Sequence, residues 1–467
     1  MDEKEGSPME SSMESRTESR THLLGAGNDA QIIFRMSLPS IASLVAIGIF
    51  YLVDAAFIGR LGTRQLSAIS VSFPVFAVIA GIGQALGVGA ASWISRHLGE
   101  NRREAADEVA STTFFSVVIL GIVVAASILG FLEPLLKSLG ASDAVLPYAK
   151  RYTQILVLAN VITMLNIAMG NIVRAEGNAP RSMAAVILSS GLNIALDPIF
   201  IYAAGMGLSG AAVGTVVSQA ASFAFLSITF IQNKNHCKIN IRLWKRGLGR
   251  LPGIIRVGAA TLFLQLLGGV ALAVTNAAAK RFGDAAVASV GLTLRILSLG
   301  MYPVYGFSIG FQPVAGYSFG AKNIDRVLGV LKTTVIWTSV FACAFSVLTV
   351  SSIGIVLPVM SKDPEVIEIG TRMIRIVTAF FPLFSFQIVI AIFLQAIGRA
   401  FLAALIIISR QAIFFLPAIF ILPRLLDLQG VIFSQPLSDI LTFAVAALSG
   451  ISATRSLYRD RRLKPKC

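Results

Sequence analysis

Charged residues are scarce in this sequence. Only 13% of its 467 residues are Asp, Glu, Lys or Arg, whereas soluble domains contain about 25%. A globular protein of this length could not cover its surface with so few charges. The apolar fraction of 55% and the mean hydropathy of +0.77 agree with this. We therefore expect most of the chain to lie in lipid.

Cysteine and histidine are scarce as well, with three of each: Cys237, Cys343, Cys467, His22, His97 and His236. They are scattered, so they form no CxxC pair, no disulfide framework and no cluster with the spacing of zinc or haem ligands. The sequence also offers no nucleophile cluster for catalysis in the membrane. We expect no enzyme activity, no cofactor and no resident metal.

Acidic residues are fewer than basic ones. The chain has 24 Asp and Glu but 39 Lys and Arg, which gives a net charge of +15. Nucleic-acid binders cluster their basic residues on a polar face with aromatic residues between them. Here the basic residues lie in short gaps between apolar runs, as membrane topology requires. We therefore expect the chain to interact with the lipid bilayer and not with nucleic acid.

Twelve apolar runs are long enough to cross a bilayer, which takes about 20 residues. They lie near 32–58, 66–95, 111–136, 148–173, 182–204, 209–232, 252–279, 287–318, 333–360, 370–396, 401–422 and 428–454. The expected fold class is an all-α integral membrane protein with twelve transmembrane helices. Prolines recur inside the runs, and each removes a backbone hydrogen bond, so kinks are expected.

Alternate gaps between the runs are rich in Lys and Arg, and this set includes both ends of the chain. Cytoplasmic loops carry the excess of basic residues. We therefore expect a multi-pass protein of the cell (inner) membrane with both termini in the cytoplasm.

The two halves of the sequence repeat each other. At a shift of 221 residues, five glycines and three arginines coincide with the same residue type: Gly48, Gly62, Gly89, Gly99, Gly177, Arg35, Arg60 and Arg151 fall on Gly269, Gly283, Gly310, Gly320, Gly398, Arg256, Arg281 and Arg372. Six spans per half is an even number, so the repeats are parallel and should be related by a pseudo-two-fold axis along the membrane normal.

This pattern predicts five parts of the chain. They are a disordered cytoplasmic tail at 1–30, an N-terminal six-helix lobe at 31–232, a basic cytoplasmic linker at 233–251, a C-terminal six-helix lobe at 252–455 and a basic cytoplasmic tail at 456–467. The first tail is polar and has few large apolar side chains, so it cannot bury enough surface to fold alone.

Three acidic residues fall well inside the runs: Asp54, Asp197 and Asp439. Charged groups at membrane depth are rare and usually line an interior cavity. Asn193 lies one turn before Asp197 on the same helix face, and the proline that follows Asp197 frees a backbone carbonyl. With the nearby Thr215 hydroxyl, these oxygens suit a proton or a small cation. The alternative is that the acids only hydrogen-bond to neighbouring helices.

Eight segments of the chain together carry a resemblance to one protein family. These segments are DAAFIGRLG (54–62), GVGAASWISRHLGENRREAA (87–106), RAEGNAP (174–180), LNIALDPIFI (192–201), GLSGAAVGTVVSQ (207–219), RFGDAAVASVGLTLRI (281–296), GFQPVAGYSFGAKN (310–323) and QAIGR (395–399). The chain resembles the multidrug and toxic compound extrusion (MATE) family over about residues 30–455. Its pair of acids, Asp54 and Asp197, is most similar to the bacterial DinF-like branch.

The resemblance implies a cation-coupled antiporter that exports organic, often cationic, compounds while H⁺ or Na⁺ enters. In that branch the coupling site lies in the N-terminal lobe, and the matching residues here are Asp54, Asn193, Asp197 and Thr215, with either Asn166 or Asn171 of span 4. A bound Na⁺ would lie at Asp54, Asn193 and Asp197.

The sequence departs from the family pattern at three positions. Phe50, next to Tyr51, occupies the place where an aromatic hydroxyl often precedes the first aspartate. Spans 7 and 10 carry Gln265 and Gln387 where other branches of the family have acids. A sodium site in the C-terminal lobe is therefore not expected.

Candidate residues for the substrate cavity are polar, aromatic or flexible side chains inside the runs: Tyr51, Gln84, Met169, Gln265, Arg295, Tyr305, Gln387 and Asp439. Arg295 is expected either to neutralise one of the buried acids or to bind backbone carbonyls. Such a cavity would take small organic substrates, and we expect a monomer.

Two rival functions remain to be weighed. A flippase for a lipid-linked saccharide, from the same wider superfamily, would need a larger and more basic cavity. An ion channel would need a filter-like loop, and no segment of the sequence resembles one.

Overall fold

The computed structural model describes residues 28–231, 237–361 and 363–462, and within these ranges the chain is helical without any strand. The first half contains α1 (Asp29–Gly59), α2 (Thr63–Gly99), α3 (Arg103–Gly130), α4 (Leu132–Ser138), α5 (Leu146–Leu158), α6 (Asn160–Ala175), α7 (Ala179–Pro198) and α8 (Leu208–Ile231). A π-helical segment, Ile199–Ala203, continues α7. Helices predominate because hydrocarbon offers no partners to backbone groups.

The second half contains α9 (Ile241–Gly247), α10 (Leu251–Lys280), α11 (Asp284–Gly320), α12 (Ile324–Met360), α13 (Pro364–Ala379), α14 (Phe381–Ala396), α15 (Ala400–Ile408) and α16 (Leu416–Arg462). A π-helical segment, Ser409–Phe415, joins α15 to α16. Four helix starts are capped by polar side chains that accept a backbone N–H, and the capping residues are Asn28, Asn240, Asn323 and Asp363.

The helices account for the twelve predicted spans. Within the described ranges nine helical runs are long and apolar enough to cross a membrane, or eleven when each of two bent helix pairs counts as one span. One of these runs, Ala400–Arg459, has 60 residues, and at 1.5 Å per residue it would be about 90 Å long. Asp427 breaks this run with φ 49° and ψ −134°. Divided there, the run supplies two spans, which confirms the twelve-helix fold class.

Kinks follow proline only in part. The α13–α14 pair bends by 45°, and Pro382 lies at the start of α14. The α5–α6 pair bends by 51° without a proline at the break. Pro303 and Pro313 lie inside α11, which continues past both of them.

The first long helix of each half packs against the second long helix of the other half. Helix α1 packs against α11 of the second half, and its repeat counterpart α10 packs against α2 of the first half. At one end of the bundle, a side chain on Gly99 would collide with the Tyr317 carbonyl, and one on Gly320 would collide with the Arg96 carbonyl. Both contact pairs are related by the same 221-residue shift, as a two-fold axis between the repeats requires.

The described part of the linker is docked on the first half. Residues 232–236, like the tails at 1–27 and 463–467, lie outside the described residues. The backbone N–H of Cys237 donates to Glu176 Oε1 at 3.0 Å, and that of Lys238 donates to Asp107 Oδ1 at 2.8 Å. Gly247 at the end of α9 lies against Thr112 of α3. Glu176 thus helps to hold the linker.

The expected sidedness can be tested with two engineered cysteines at exposed positions, after Cys343 and Cys467 are replaced by serine. Lys245 lies on α9, and Asp143 lies in the loop between α4 and α5 on the opposite side of the predicted topology. We expect an impermeant maleimide to label Asp143→Cys in intact cells and Lys245→Cys only after permeabilisation. The reverse pattern would contradict the orientation. The native Cys237 is a poor probe, because it is 2% exposed and burial raises the pKa of its thiol.

Candidate functional site

A cavity of about 290 Å³ lies within the first half. Its lining comes from α1, α2, α5, α6, α7 and α8, and Ile309 of α11 closes one side. Its polar lining includes Tyr51, Asp54, Gln84, Tyr152, Asn166, Asn171, Arg174, Asn193, Thr215 and Gln219. All the residues expected at the coupling site, apart from Asp197, therefore line one cavity.

Asp197 lies directly behind the cavity wall and is 0% exposed. Its carboxyl group is close enough to that of Asp54 for the two charges to affect each other. Two ionised carboxylates that lie so close together repel each other. A proton on one of the acids, or a cation between them, would relieve this repulsion.

Several buried oxygens around the two acids lack a hydrogen-bond donor among the described residues. Asn193 donates its amide N–H to Thr215 Oγ1 at 3.3 Å. Within the described part of the chain, no donor reaches Asn193 Oδ1 or either carboxylate oxygen of Asp197. Buried acceptors without a partner are costly, by about 1–3 kcal/mol each. A proton or a small cation would relieve this cost.

The local sequence explains how the acids come together. Asp197 is the last residue before Pro198, where α7 ends and the π-helical segment begins. Tyr202 of that segment donates its hydroxyl to the Phe57 carbonyl of α1 at 2.7 Å, which ties the segment to the helix that carries Asp54. On α8, Gly214 leaves room for the carboxylate, because a Cβ there would lie 2.7 Å from Asp197 Oδ1.

The structure separates the two candidate asparagines of span 4. Asn166 donates to Gln219 and accepts from Ser222 Oγ at 2.9 Å. Gln219 lies one helical turn beyond Thr215 on α8, so Asn166 belongs to the same polar group as the acids. Asn171 instead donates to Gln84 Oε1 at 3.1 Å.

Arg174 marks the other end of the cavity, and the sequence analysis did not assign it to the site. Its Nη2 donates to Ser182 Oγ at 3.0 Å and its Nη1 to Asn171 Oδ1 at 3.3 Å, while Nε is buried without an acceptor. Along α6 it lies about 12 Å from Asn166. The cavity thus has acidic groups at one end and a guanidinium at the other.

A second, smaller cavity of about 150 Å³ lies in the second half. Arg410 Nε donates to Asp439 Oδ1 at 2.7 Å, and both side chains are buried. Gln435 donates to the same oxygen at 3.2 Å, and Gln387 donates to the Asp439 carbonyl at 2.6 Å. The Arg410 guanidinium also lies 4.6 Å from the centre of the Phe384 ring. Asp439 therefore already has a fixed counter-charge.

The two cavities occupy equivalent places in the repeat. Thr275 corresponds to Asp54 and Gln387 to Asn166 at the shift of 221 residues, and Gln435 and Asp439 correspond to Thr215 and Gln219 at a shift of 220. Thr275, Gln435 and Asp439 line the second cavity. One repeat has thus kept its acids near each other, whereas the other binds its acid to an arginine.

The remaining substrate-cavity candidates are divided by the structure. Tyr51 and Gln84 line the first cavity, and Tyr305 packs against Phe384 beside the second, with ring centres 5.9 Å apart. Met169 is buried but lines neither cavity.

Two of the polar candidates for the substrate cavity lie outside both cavities. Gln265 and Arg295 are exposed on α10 and α11 and line neither cavity. The expectation that Arg295 neutralises a buried acid needs correction, because Arg410 makes that contact with Asp439. Arg410 lies within the apolar run 401–422, so the criterion that singled out Asp439 would also have found it.

The described residues contain no group of three or more His, Cys, Asp or Glu that could hold a metal ion. A site at Asp54, Asn193 and Asp197 would therefore bind Na⁺ through two carboxylates and neutral oxygens only.

Comparison with known proteins gives consistent matches over most of the chain. The family model MatE matches residues 39–199 and 259–421. The multidrug export protein MepA of Staphylococcus aureus (strain N315) is 30% identical over 419 residues, which cover 89% of this chain and 92% of that protein. MepA of Staphylococcus haemolyticus is 29% identical over 432 residues, which cover 92% and 95%.

Solved structures agree in fold. A crystal structure of MATE in the straight conformation has a TM-score of 0.89 and 27% identity, covering 94% of this chain and 99% of that chain. A MOP superfamily transporter from Pyrococcus furiosus, described as having a binding pocket of reverse polarity that suggests a different function, has a TM-score of 0.87 and 26% identity, covering 94% and 98%.

The family model covers well over half of the chain, with one matched segment in each repeat. The relatives align over almost their full length. This protein therefore belongs to the MATE family and is a membrane transporter rather than an enzyme.

Proposed function

We propose that this protein is a secondary active multidrug efflux transporter, which exports organic, often cationic, compounds in exchange for H⁺ or Na⁺ by alternating access of its two lobes. The observation that carries the proposal is the proximity of the Asp54 and Asp197 carboxyl groups, beside buried acceptors that have no donor among the described residues. Such a site attracts a cation or a proton and, once loaded, has a different charge.

The substrate class is supported by the relatives, which are named multidrug export proteins. The first cavity fits it, because Phe50, Tyr51, Phe73, Phe76 and Tyr152 line the same space as Asp54. Aromatic faces beside a carboxylate attract organic cations. The volume of about 290 Å³ is just below the usual range for small-molecule sites, about 300–1,000 Å³.

The coupling step follows from the geometry of α1 and α7. When the site is loaded, a proton or Na⁺ lets the Asp54 and Asp197 carboxyl groups stay close together. When it is empty, two negative charges face each other and favour separation of the helices, and the Tyr202–Phe57 bond transmits that strain to the end of α1. Ion entry can supply about 2.3 kcal/mol per charge per 100 mV. This energy is usable because occupancy changes the balance between lobe arrangements.

The alternative, a flippase for a lipid-linked saccharide, is not favoured. A pyrophosphate head would call for a cavity lined mainly by cations. Among the described residues that line the first cavity, Arg174 is the only cation, and two acids lie at or behind the opposite wall. The monomeric state and the cytoplasmic position of both termini stay predictions.

The substitutions Asp54→Asn and Asp197→Asn test the coupling site, because each keeps the side-chain shape and removes the exchangeable charge. We expect each variant to reduce gradient-driven efflux of a fluorescent organic cation by more than about tenfold, because a neutral amide can neither release a proton nor offer a cation a full negative charge. The measurement is efflux from proteoliposomes under an imposed pH or Na⁺ gradient.

The matched control is Asp143→Asn, which makes the same change at an exposed loop position and should leave transport unchanged. Expression and melting temperature of all variants should stay near those of the wild type. If both first-half variants still concentrate the dye as well as the wild type, the coupling site lies elsewhere.

Gly214→Ala tests the packing that positions Asp197. The added methyl group would lie 2.7 Å from Asp197 Oδ1, so the carboxylate has to move, at a cost of about 1–3 kcal/mol. We expect a several-fold loss of coupled efflux in the same assay. Gly191→Ala on α7 is the control, because a Cβ there meets nothing within 4 Å. Equal activity of the two variants would show that the position of Asp197 does not matter for coupling.

A further inference from the structure

A third cavity, of about 400 Å³, lies between the two halves at the end of the bundle that carries the linker. Its walls come from three places in the chain: Trp93 and Arg96 on α2, residues 253–257 on α10, and residues 398–402 around the start of α15. It is separate from the two cavities described above, and neither the sequence analysis nor the proposed transport mechanism uses it.

All the charged residues that line this cavity are basic. Arg96, Arg256 and Arg399 line it, and no acidic residue does. None of the three guanidinium groups forms an ion pair with a carboxylate of the described chain. Three arginines that converge from separate helices without an ion-paired carboxylate of the described chain create a positive potential, which an anion would relieve.

The two buried groups of this cavity that lack a hydrogen-bond partner in the described chain are both donors. Arg96 Nη2 and Trp93 Nε1 are both buried, and no acceptor of the described residues reaches either atom. The Arg96 side chain is nevertheless held in place, since its Nε donates to the Ser92 carbonyl at 3.0 Å and its guanidinium lies 4.8 Å from the centre of the Trp93 ring. Two fixed donors without acceptors call for a ligand that accepts hydrogen bonds.

We propose that this cavity binds the phosphate group of an anionic membrane lipid. Phosphate oxygens match the geometry of guanidinium donors, and basic pockets between transmembrane helices on the cytoplasmic side suit anionic head groups. Phe401 at the rim is 69% exposed, and the apolar Val257 and Leu402 line the wall. A lipid supplies acyl chains for that surface, which a free phosphate ion does not.

The position of the cavity gives the lipid a structural consequence. Its head group would contact α2 of the first half together with α10 and α15 of the second half. The ligand thus binds the arrangement in which these helices are close together. A ligand that prefers one arrangement shifts the population towards it, so the anionic lipid content of the membrane would bias the transport cycle.

The test compares the melting temperature of delipidated, detergent-purified protein with added phosphatidylglycerol, phosphatidylcholine or inorganic phosphate. The key variant is Arg256→Gln with Arg399→Gln, and the matched control is Arg242→Gln with Lys245→Gln, two exposed linker residues with the same charge loss. We expect phosphatidylglycerol to raise the melting temperature saturably. One arginine near an anionic lipid contributes about fivefold in affinity, so the key variant should need about 25-fold more lipid, whereas the control should match the wild type.

Three results would overturn the proposal. Phosphatidylcholine could stabilise as well as phosphatidylglycerol, the control pair could lose as much as the key pair, or inorganic phosphate alone could give the full effect, which would assign the site to a soluble anion. If the double variant does not fold, Trp93→Phe removes one donor and keeps an aromatic ring. We expect it to bind phosphatidylglycerol several-fold more weakly, and unchanged binding would count against the site.

Discussion

A polar group inside a bilayer has to find its partner within the protein, because hydrocarbon offers none. Most polar side chains of this transporter meet that constraint locally. Many serine and threonine hydroxyls, such as those of Ser72, Thr113 and Thr334, donate to the carbonyl one turn earlier on the same helix. Two groups among the exceptions are informative. At Asp197 and Asn193 the unpaired atoms are all acceptors, and at Trp93 and Arg96 they are all donors. The polarity of each set indicates the charge of what would bind there.

The same constraint explains why the two repeats differ in their use of charge. A buried acid needs either an exchangeable partner or a permanent one, since an isolated charge in low dielectric is very costly. Asp439 has a permanent partner in Arg410, with Gln435 on the same oxygen. Within the described ranges neither Asp54 nor Asp197 forms an ion pair with a cation, and the neighbouring Asn193 and Thr215 are neutral. The proposed division of labour follows, with an exchanging site in the first half and a fixed ion pair at the equivalent place in the second half.

Much of this architecture could be predicted from the sequence, because the strongest signals are local. Long apolar runs gave the spans, and the glycines shared at a fixed shift predicted a repeat whose members Gly99 and Gly320 make equivalent contacts across the halves. Acids inside apolar runs led to Asp54 and Asp197. The sequence does not show which side of a uniformly apolar helix faces the protein interior. Arg295 was therefore expected inside, although it is exposed. The arginines of the third cavity lie near span ends, where basic residues are expected, and their convergence depends on tertiary packing alone.

The central claim is that one site exchanges an ion for the transport of a substrate, and coupling of this kind has to work in both directions. The most direct measurement loads proteoliposomes with a fluorescent organic cation, imposes no ion gradient, and records internal pH and internal Na⁺ while the dye leaves through the protein. The account predicts that H⁺ or Na⁺ moves inward against its developing gradient for as long as the dye flows outward, and that an Asp54→Asn protein shows no such ion movement. Dye efflux by the wild-type protein without movement of either ion would contradict it.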